Sequence, residues 1–217
     1  PQPSLDFAAG KIMPRRKLRS CDWTVCLVDG HAELPAGMTS VPDGFFFSNA
    51  FLRGITSVTI PDSVTTIGEH AFAGCSSLAN ITIGNSVTTI GKSAFYGCVS
   101  LAAVTIPDSV TTIGENAFDN CVSLAAVAIG NSVTAIGEGA FYGCSSLANI
   151  TIPDSVATIG GGAFEGCSSL AAVTIPNSVT VIGKEAFSRC SSLETVTIPN
   201  SVTAIGGYAF YECVSLA

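Results

Sequence analysis

Seven cysteines, Cys75, Cys98, Cys121, Cys144, Cys167, Cys190 and Cys213, stand 23 residues apart without a slip. Seven nucleophiles in file invite metal ligation or a chain of disulfides. Structural zinc needs four ligands converging on a point. A row whose members sit about 4.8 Å apart on successive strands brings two or three together at best. Free cysteine otherwise behaves as a small hydrophobe, so the row reads as buried packing. Cys21 and Cys26 lie outside the row and are the better disulfide candidates in an oxidising compartment. Nine cysteines cannot all pair within one chain, which leaves the compartment open.

Serine recurs in the same way, in one row from Ser77 to Ser215 and another from Ser63 to Ser201. A catalytic serine would be singular and would have a histidine beside it. The two histidines, His31 and His70, fall on unrelated elements. Hydroxyls that satisfy turn backbone groups account for both rows. Gly160-Gly161-Gly162 is a variant of the repeat's glycine and not a phosphate loop, because no Lys-Ser or Lys-Thr follows it. No catalytic, cofactor-binding or metal-binding residue is assigned, and the chain is expected not to be an enzyme.

The period that spaces the cysteines also spaces the elements that must position them. Phe72, Phe95, Phe118, Phe141, Phe164, Phe187 and Phe210 each stand three before a cysteine, and the glycines from Gly68 to Gly206 stand seven before. A strict period of this length means one coil of a solenoid per repeat, each coil burying its apolar face only against its neighbours. One unit reads CSSLANITIGNSVTTIGKSAFYG, from Cys75. Ile81 and Ile83 alternate as in a half-buried strand, with Thr82 pointing outward. Pro or Gly ends the strand, and DSV or NSV continues the turn, with Asp or Asn expected to bond its own backbone. Val87 and Ile90 form a second short inward segment, and AF supplies the large core filler.

The 217 residues carry 47% apolar and 12% charged side chains, a composition of neither a disordered chain nor a charged coiled coil. No run of about 18 apolar residues occurs, so no transmembrane helix is expected. Net charge is −7. From Gly54 onward eleven acidic and three basic side chains occur. Such an array repels phosphate backbones, which argues against nucleic acid as a partner. Lys11, Arg15, Arg16, Lys17 and Arg19 concentrate the positive charge and suit a solvated arm that touches an anionic membrane surface or an acidic partner. The start at Pro1 fits either a removed leader or a fragment.

Residues 1–20 read as a basic arm. Residues 21–34 read as a β-hairpin cap turning at Asp29-Gly30, which would cover the exposed strand edge of the first coil. Residues 35–217 read as the solenoid. Its first repeat is degenerate, with about three residues inserted around Ser48 to Arg53 where a cysteine would stand. At Ser215-Leu216-Ala217 no capping unit is visible, so the last edge is expected to be covered by a partner or by further sequence.

LxxIxIP, VxxIG, AF and Cys at this spacing resemble the BspA-type leucine-rich repeats, also called the Treponema pallidum class, from about Leu34 to Ala217. The resemblance implies a right-handed, curved leucine-rich-repeat solenoid. A parallel β-sheet would line its concave face, with short strands, turns or 3-10 segments on the other side. It further implies an extracellular or cell-surface protein that binds host proteins or promotes adhesion. Residues contacting any one partner differ between members, so none is carried over.

Two faces then compete for function. The outward strand positions, Thr82, Thr105 and Thr151 among them, are small and nearly uncharged, and lack aromatic or arginine anchors. Such a face suits close packing in a dimer or larger assembly, repeat expansion without a ligand, or, remotely, ice binding by threonine rows that Ala128 interrupts. The positions flanking AF hold all four tyrosines. Tyr96, Tyr142 and Tyr211 share one repeat position, and tyrosine is enriched at interfaces. Expected overall is a non-catalytic module binding a protein partner through repeat faces or ends. The alternatives are a surface adhesin and an intracellular or organellar subunit of an assembly, anchored by Arg15, Arg16, Lys17 and Arg19.

Overall fold

Each 23-residue unit closes into one coil because three of its segments pair with the same segments of the coils before and after it. The structure, a computed structural model, describes residues 3–6, 11–14, 24–48 and 52–217. The first segment is the IxI strand. It forms β6 (Ser57–Thr59), β8 (Asn80–Thr82), β10 (Ala103–Thr105), β12 (Ala126–Ala128), β14 (Asn149–Ile150), β16 (Ala172–Thr174) and β18 (Thr195–Thr197). β-Branched residues at alternate positions fit a pleated surface with one buried face. Val104, Val127, Ile150 and Val173 accordingly point into the core while Thr105, Ala128, Thr151 and Thr174 are exposed. β10 to β18 pair in parallel, one repeat on the next, as do β6 and β8.

The second segment is two residues long per coil: β5 (Ser40–Val41), β7 (Thr66–Ile67), β9 (Thr89–Ile90), β11 (Thr112–Ile113), β13 (Ala135–Ile136), β15 (Thr158–Ile159), β17 (Val181–Ile182) and β19 (Ala204–Ile205). These make an eight-stranded parallel sheet in chain order. A threonine just before each strand except β15, where Ala157 stands, strengthens the sheet. Thr88 donates both its N–H and its Oγ1 to the Thr65 carbonyl, at 2.8 and 3.1 Å, and Thr111 repeats this on Thr88.

The third segment, around AF, is a run of turns without regular strand. It is still a hydrogen-bonded ladder. In each coil from His70 to Arg189 three N–H groups donate to the next, as in Ser93 to Glu115, Phe95 to Ala117 and Gly97 to Asp119, all at 2.8 Å. The first and last of the three donors turn left-handed, while the Phe between them does not. Two positions per coil therefore have positive φ: one at His70, Ser93, Asn116, Glu185 and Tyr208, the other at Gly97, Asn120, Gly143 and Arg189.

The core is a stack of rings. Phe46, Phe72, Phe95, Phe118, Phe141, Phe164, Phe187 and Phe210 follow one another with centroids 4.5–5.5 Å apart and planes within 21° of parallel. Aromatic pairs contribute about 0.5–1.5 kcal/mol each beyond their buried area. Phe46 continues the stack into the degenerate first repeat, and buried Leu52 takes the place the cysteine would hold. The glycine seven before each cysteine permits this spacing. A Cβ on Gly114 would stand 2.7 Å from the carbonyl carbon of Gly91.

The amino-terminal end departs from the solenoid pattern. β3 (Thr24–Val28) and β4 (His31–Glu33) pair antiparallel across Asp29 and Gly30, whose φ values of 51° and 85° suit a tight hairpin turn. β4 then pairs in parallel with β6, which joins the hairpin to the repeats. β1 (Pro3–Asp6) and β2 (Lys11–Pro14), within the stretch read as an arm, extend this sheet in the order β2-β1-β3-β4-β6-β8. Strands of four residues are too short for periodicity to reveal them, and pairing alone defines them. Arg15, Arg16, Lys17, Arg19 and Cys21 lie outside the described residues, as does the side chain of Cys26.

Candidate binding surfaces

The chemistry suggested by the cysteine row is quenched by its surroundings. Cys75 to Cys190 are buried free thiols, and Cys213 is half-buried. From Cys98 onward each Sγ donates to the carbonyl of a phenylalanine one coil back, as Cys144 does to Phe118 at 3.2 Å. Burial pushes the thiols of Cys75, Cys121 and Cys190 up to about 12. A thiol so desolvated is a poor nucleophile, since the thiolate is the reacting form. Among the described residues, no group of three or more His, Cys, Asp or Glu could hold a metal ion. No helix among them is long and apolar enough to cross a membrane.

The serine rows and the Asp/Asn turns differ from the sequence reading. Ser109 and Ser155 donate to the Val87 and Val133 carbonyls of the preceding coil, but the hydroxyls of Ser63, Ser178 and Ser201 are buried without a partner. Turn satisfaction therefore explains only part of the row. Asp62 and Asp108 do not bond their own turns. They accept the backbone N–H of Asn85 and Asn131 in the next coil, both at 2.7 Å. Coil-to-coil pairing takes precedence because the neighbouring turn presents its N–H one strand spacing away.

Two exposed surfaces remain. On the strand side, the outward residues meet the Pro/Asn turns in shallow grooves. One, of about 550 Å³, is lined by Thr82, Thr105 and Ala128 with Pro107 and Asp108. Another, of about 660 Å³, is lined by Thr151, Thr174 and Thr197 with Pro176 and Asn177. The threonines singled out from the sequence thus share one edge of the array, split between two grooves.

On the turn side, the residue after each Phe forms a column: Ala73, Tyr96, Asp119, Tyr142, Glu165, Ser188 and Tyr211. The N–H two residues after each Phe donates to the column carbonyl of the next coil, so neighbours in this list lie side by side. Tyr96 and Tyr142 flank Asp119. Tyr211 stands apart, separated by Glu165 and Ser188, and meets Tyr208 edge-on with centroids 5.7 Å apart. The charges nearby are mostly paired: Lys92 with Glu115 at 2.7 Å, and Arg189 with Glu165 and Glu212, both at 3.3 Å. Sequence reasoning placed Asp119 with the tyrosines among the variable positions flanking AF but singled out only the tyrosines as candidates. The signal for Asp119 was the shared repeat position.

Comparison with known proteins agrees with this architecture. The chain is similar to the leucine-rich repeat protein of T. pallidum, at 29% identity and a TM-score of 0.62, covering 86% of this chain and 78% of that one. A leucine-rich repeat protein from Bacteroides ovatus is 28% identical with a TM-score of 0.51, covering 86% of this chain and 62% of that one. One from Eubacterium ventriosum shares the fold at 24% identity and a TM-score of 0.64, covering 83% and 63%. The chain thus spans less than two thirds of the last two. A comparison with curated proteins finds no match. The family model for the BspA type leucine rich repeat region matches in six copies over residues 39–170 and 111–217. The chain belongs to the BspA-type leucine-rich repeat family.

Proposed function

We propose that the chain is a non-catalytic protein-binding module that presents its repeat faces to a protein partner at the cell surface or outside the cell. One observation carries this reading. The outward side of β8, β10, β12, β14, β16 and β18 is a long, exposed surface of Ala, Asn and Thr on a scaffold whose inward strand residues are buried, or half-buried at Ile81 and Val196. A rigid, low-relief surface of this kind loses little conformational freedom when a second protein covers it. The extracellular placement rests on the family resemblance, whose members are often secreted or surface-attached.

The test is surface plasmon resonance against purified extracellular proteins, with Ala103→Arg and Ala126→Arg as face variants. Both positions are exposed, so an added side chain obstructs docking without entering the core. A saturable partner whose Kd rises about tenfold or more in either variant, roughly 1.4 kcal/mol or more, supports the reading. A partner that binds both of these variants, and Tyr96→Ala and Tyr142→Ala on the turn side, as it binds the parent chain would sink it.

A further inference from the structure

In the column of residues that follow each Phe, the array shows how it satisfies a carboxylate. Glu165 is met by the guanidinium of Arg189, which sits two residues after the Phe of the next coil, with Nη1 3.3 Å from Oε1. Asp119 occupies the same column. The residue in the place of Arg189 is then Gly143, which has no side chain. Among the described residues no cation pairs with Asp119. Its described partner is the Asn120 side-chain amide, at 2.7 Å.

The surroundings of Asp119 suit a guanidinium. Tyr96 and Tyr142, 44% and 36% exposed, stand on either side of it, one coil away each. Their positions are therefore about 10 Å apart, at roughly 5 Å per coil. A planar cation set over the carboxylate is one coil, about 5 Å, from each tyrosine's position, within reach of a cation–π contact. Exposed Val99 and Val122, on the turns that follow Tyr96 and Asp119, offer apolar surface to an aliphatic stem. The acidic array favours approach of a basic group. Burial also holds the Asp119 carboxyl above its ordinary range, the mark of a partly desolvated acid without a counter-charge.

We propose that Tyr96, Asp119 and Tyr142 form a receptor for an arginine side chain of a protein partner, with the partner's guanidinium taking the place that Arg189 fills opposite Glu165. The proposal rests on the protein-binding reading and assigns it a chemistry. Arginine fits better than lysine because its planar, weakly hydrated head can pair with the carboxylate through a fork of N–H donors while a tyrosine lies within cation–π reach on either side.

The experiment is an NMR titration of the whole chain with N-acetyl-arginine amide, and with the lysine and citrulline equivalents as controls. Saturable shifts are expected at the amides of Tyr96, Asp119, Tyr142 and Gly143, weaker with lysine and absent with citrulline. Asp119→Asn should weaken binding by about tenfold. Gly143→Arg should abolish it by supplying the guanidinium internally, at a left-handed position like that of Arg189, once the Asn120 amide gives way. Should Gly143→Arg fail to fold, Asp119→Asn and Tyr142→Ala carry the test. Shifts of equal size at the turns of Asp62, Asp108 and Asp154 that persist in Asp119→Asn would overturn the proposal, as would absence of saturable binding. A protein partner sensitive to Ala103→Arg or Ala126→Arg but not to Asp119→Asn would leave the broader reading standing and remove this one.

Discussion

Cys144 Sγ donates to the Phe118 carbonyl one coil back at 3.2 Å, and the same carbonyl accepts the Cys121 N–H at 3.2 Å. The thiol therefore adds a second, weaker donor to a carbonyl already satisfied, and its main contribution is volume beside the ring stack. Cys144→Ala should cost about 1–2 kcal/mol of stability, the low end for deleting a buried group. Brief alkylation of the native chain at pH 8, read by peptide mapping, should leave Cys98, Cys121, Cys144 and Cys167 unmodified and label Cys213 first among the seven. Rapid, even labelling of the row would contradict the packing described.

Gly137 approaches Gly114 so closely that a Cβ on the first would stand 2.7 Å from the carbonyl carbon of the second. The obstacle is backbone, which cannot rotate aside. Gly137→Ala should destabilise by about 2–3 kcal/mol, as overpacking of a tight site does. Gly207→Ala, with nothing within 4 Å of its Cβ, is the matched control and should shift the urea midpoint little. Equal midpoints for the two would show that the coils can separate freely.

The left-handed positions make a prediction with opposite signs at equivalent sites. Gly162 and Glu185 occupy the same place in successive coils, with φ of 58° and 59°. A non-glycine residue there costs roughly 1–2 kcal/mol, partly offset by the extra unfolded-state entropy of glycine. Glu185→Gly should therefore stabilise by about 0.5–1 kcal/mol despite losing its surface contact with Lys184. Gly162→Ala should destabilise by a similar amount. Thermal denaturation of both variants checks the pair, and a loss of stability in Glu185→Gly would count against it.

These cases show what the sequence makes legible. The ring stack, the IxI strand and the glycine column are written in invariant residue types at one spacing, so periodicity exposes them directly. The left-handed positions are not. His70, Ser93, Asn116, Glu185 and Tyr208 share a conformation but no chemistry, because the coil-to-coil ladder imposes the turn whatever the side chain. Asp62 to Asn85 likewise depends on a neighbour 23 residues away, where local turn rules point to the residue's own backbone. The Asp119 site is legible in its tyrosines and illegible in its missing cation, since the informative residue is a glycine in the next coil.

Asp119 supplies a pH dependence of definite sign. Its carboxyl is pushed from 3.8 up to about 6, first by burial, against the hydrogen bond from Asn120. A raised folded-state value means that the native chain holds the proton where the unfolded chain has lost it, between about pH 4 and 6. Stability from this group is fully present below pH 4 and is lost as pH rises through 6. Because the side chain is only half-buried, screening trims the effect to about 1 kcal/mol. Asp119→Asn, which cannot ionise, should then be more stable than the parent chain at pH 7 by about that amount and equal to it at pH 4. Glu165, also raised by burial, titrates in both proteins and cancels in the difference. Urea denaturation of the two at pH 4, 5.5 and 7 gives the comparison. A stability gap that does not change with pH would remove the desolvated carboxylate from the account. A gap that opens above pH 5 also shows that any arginine binding lost in Asp119→Asn at pH 7 is lost by a better-folded protein.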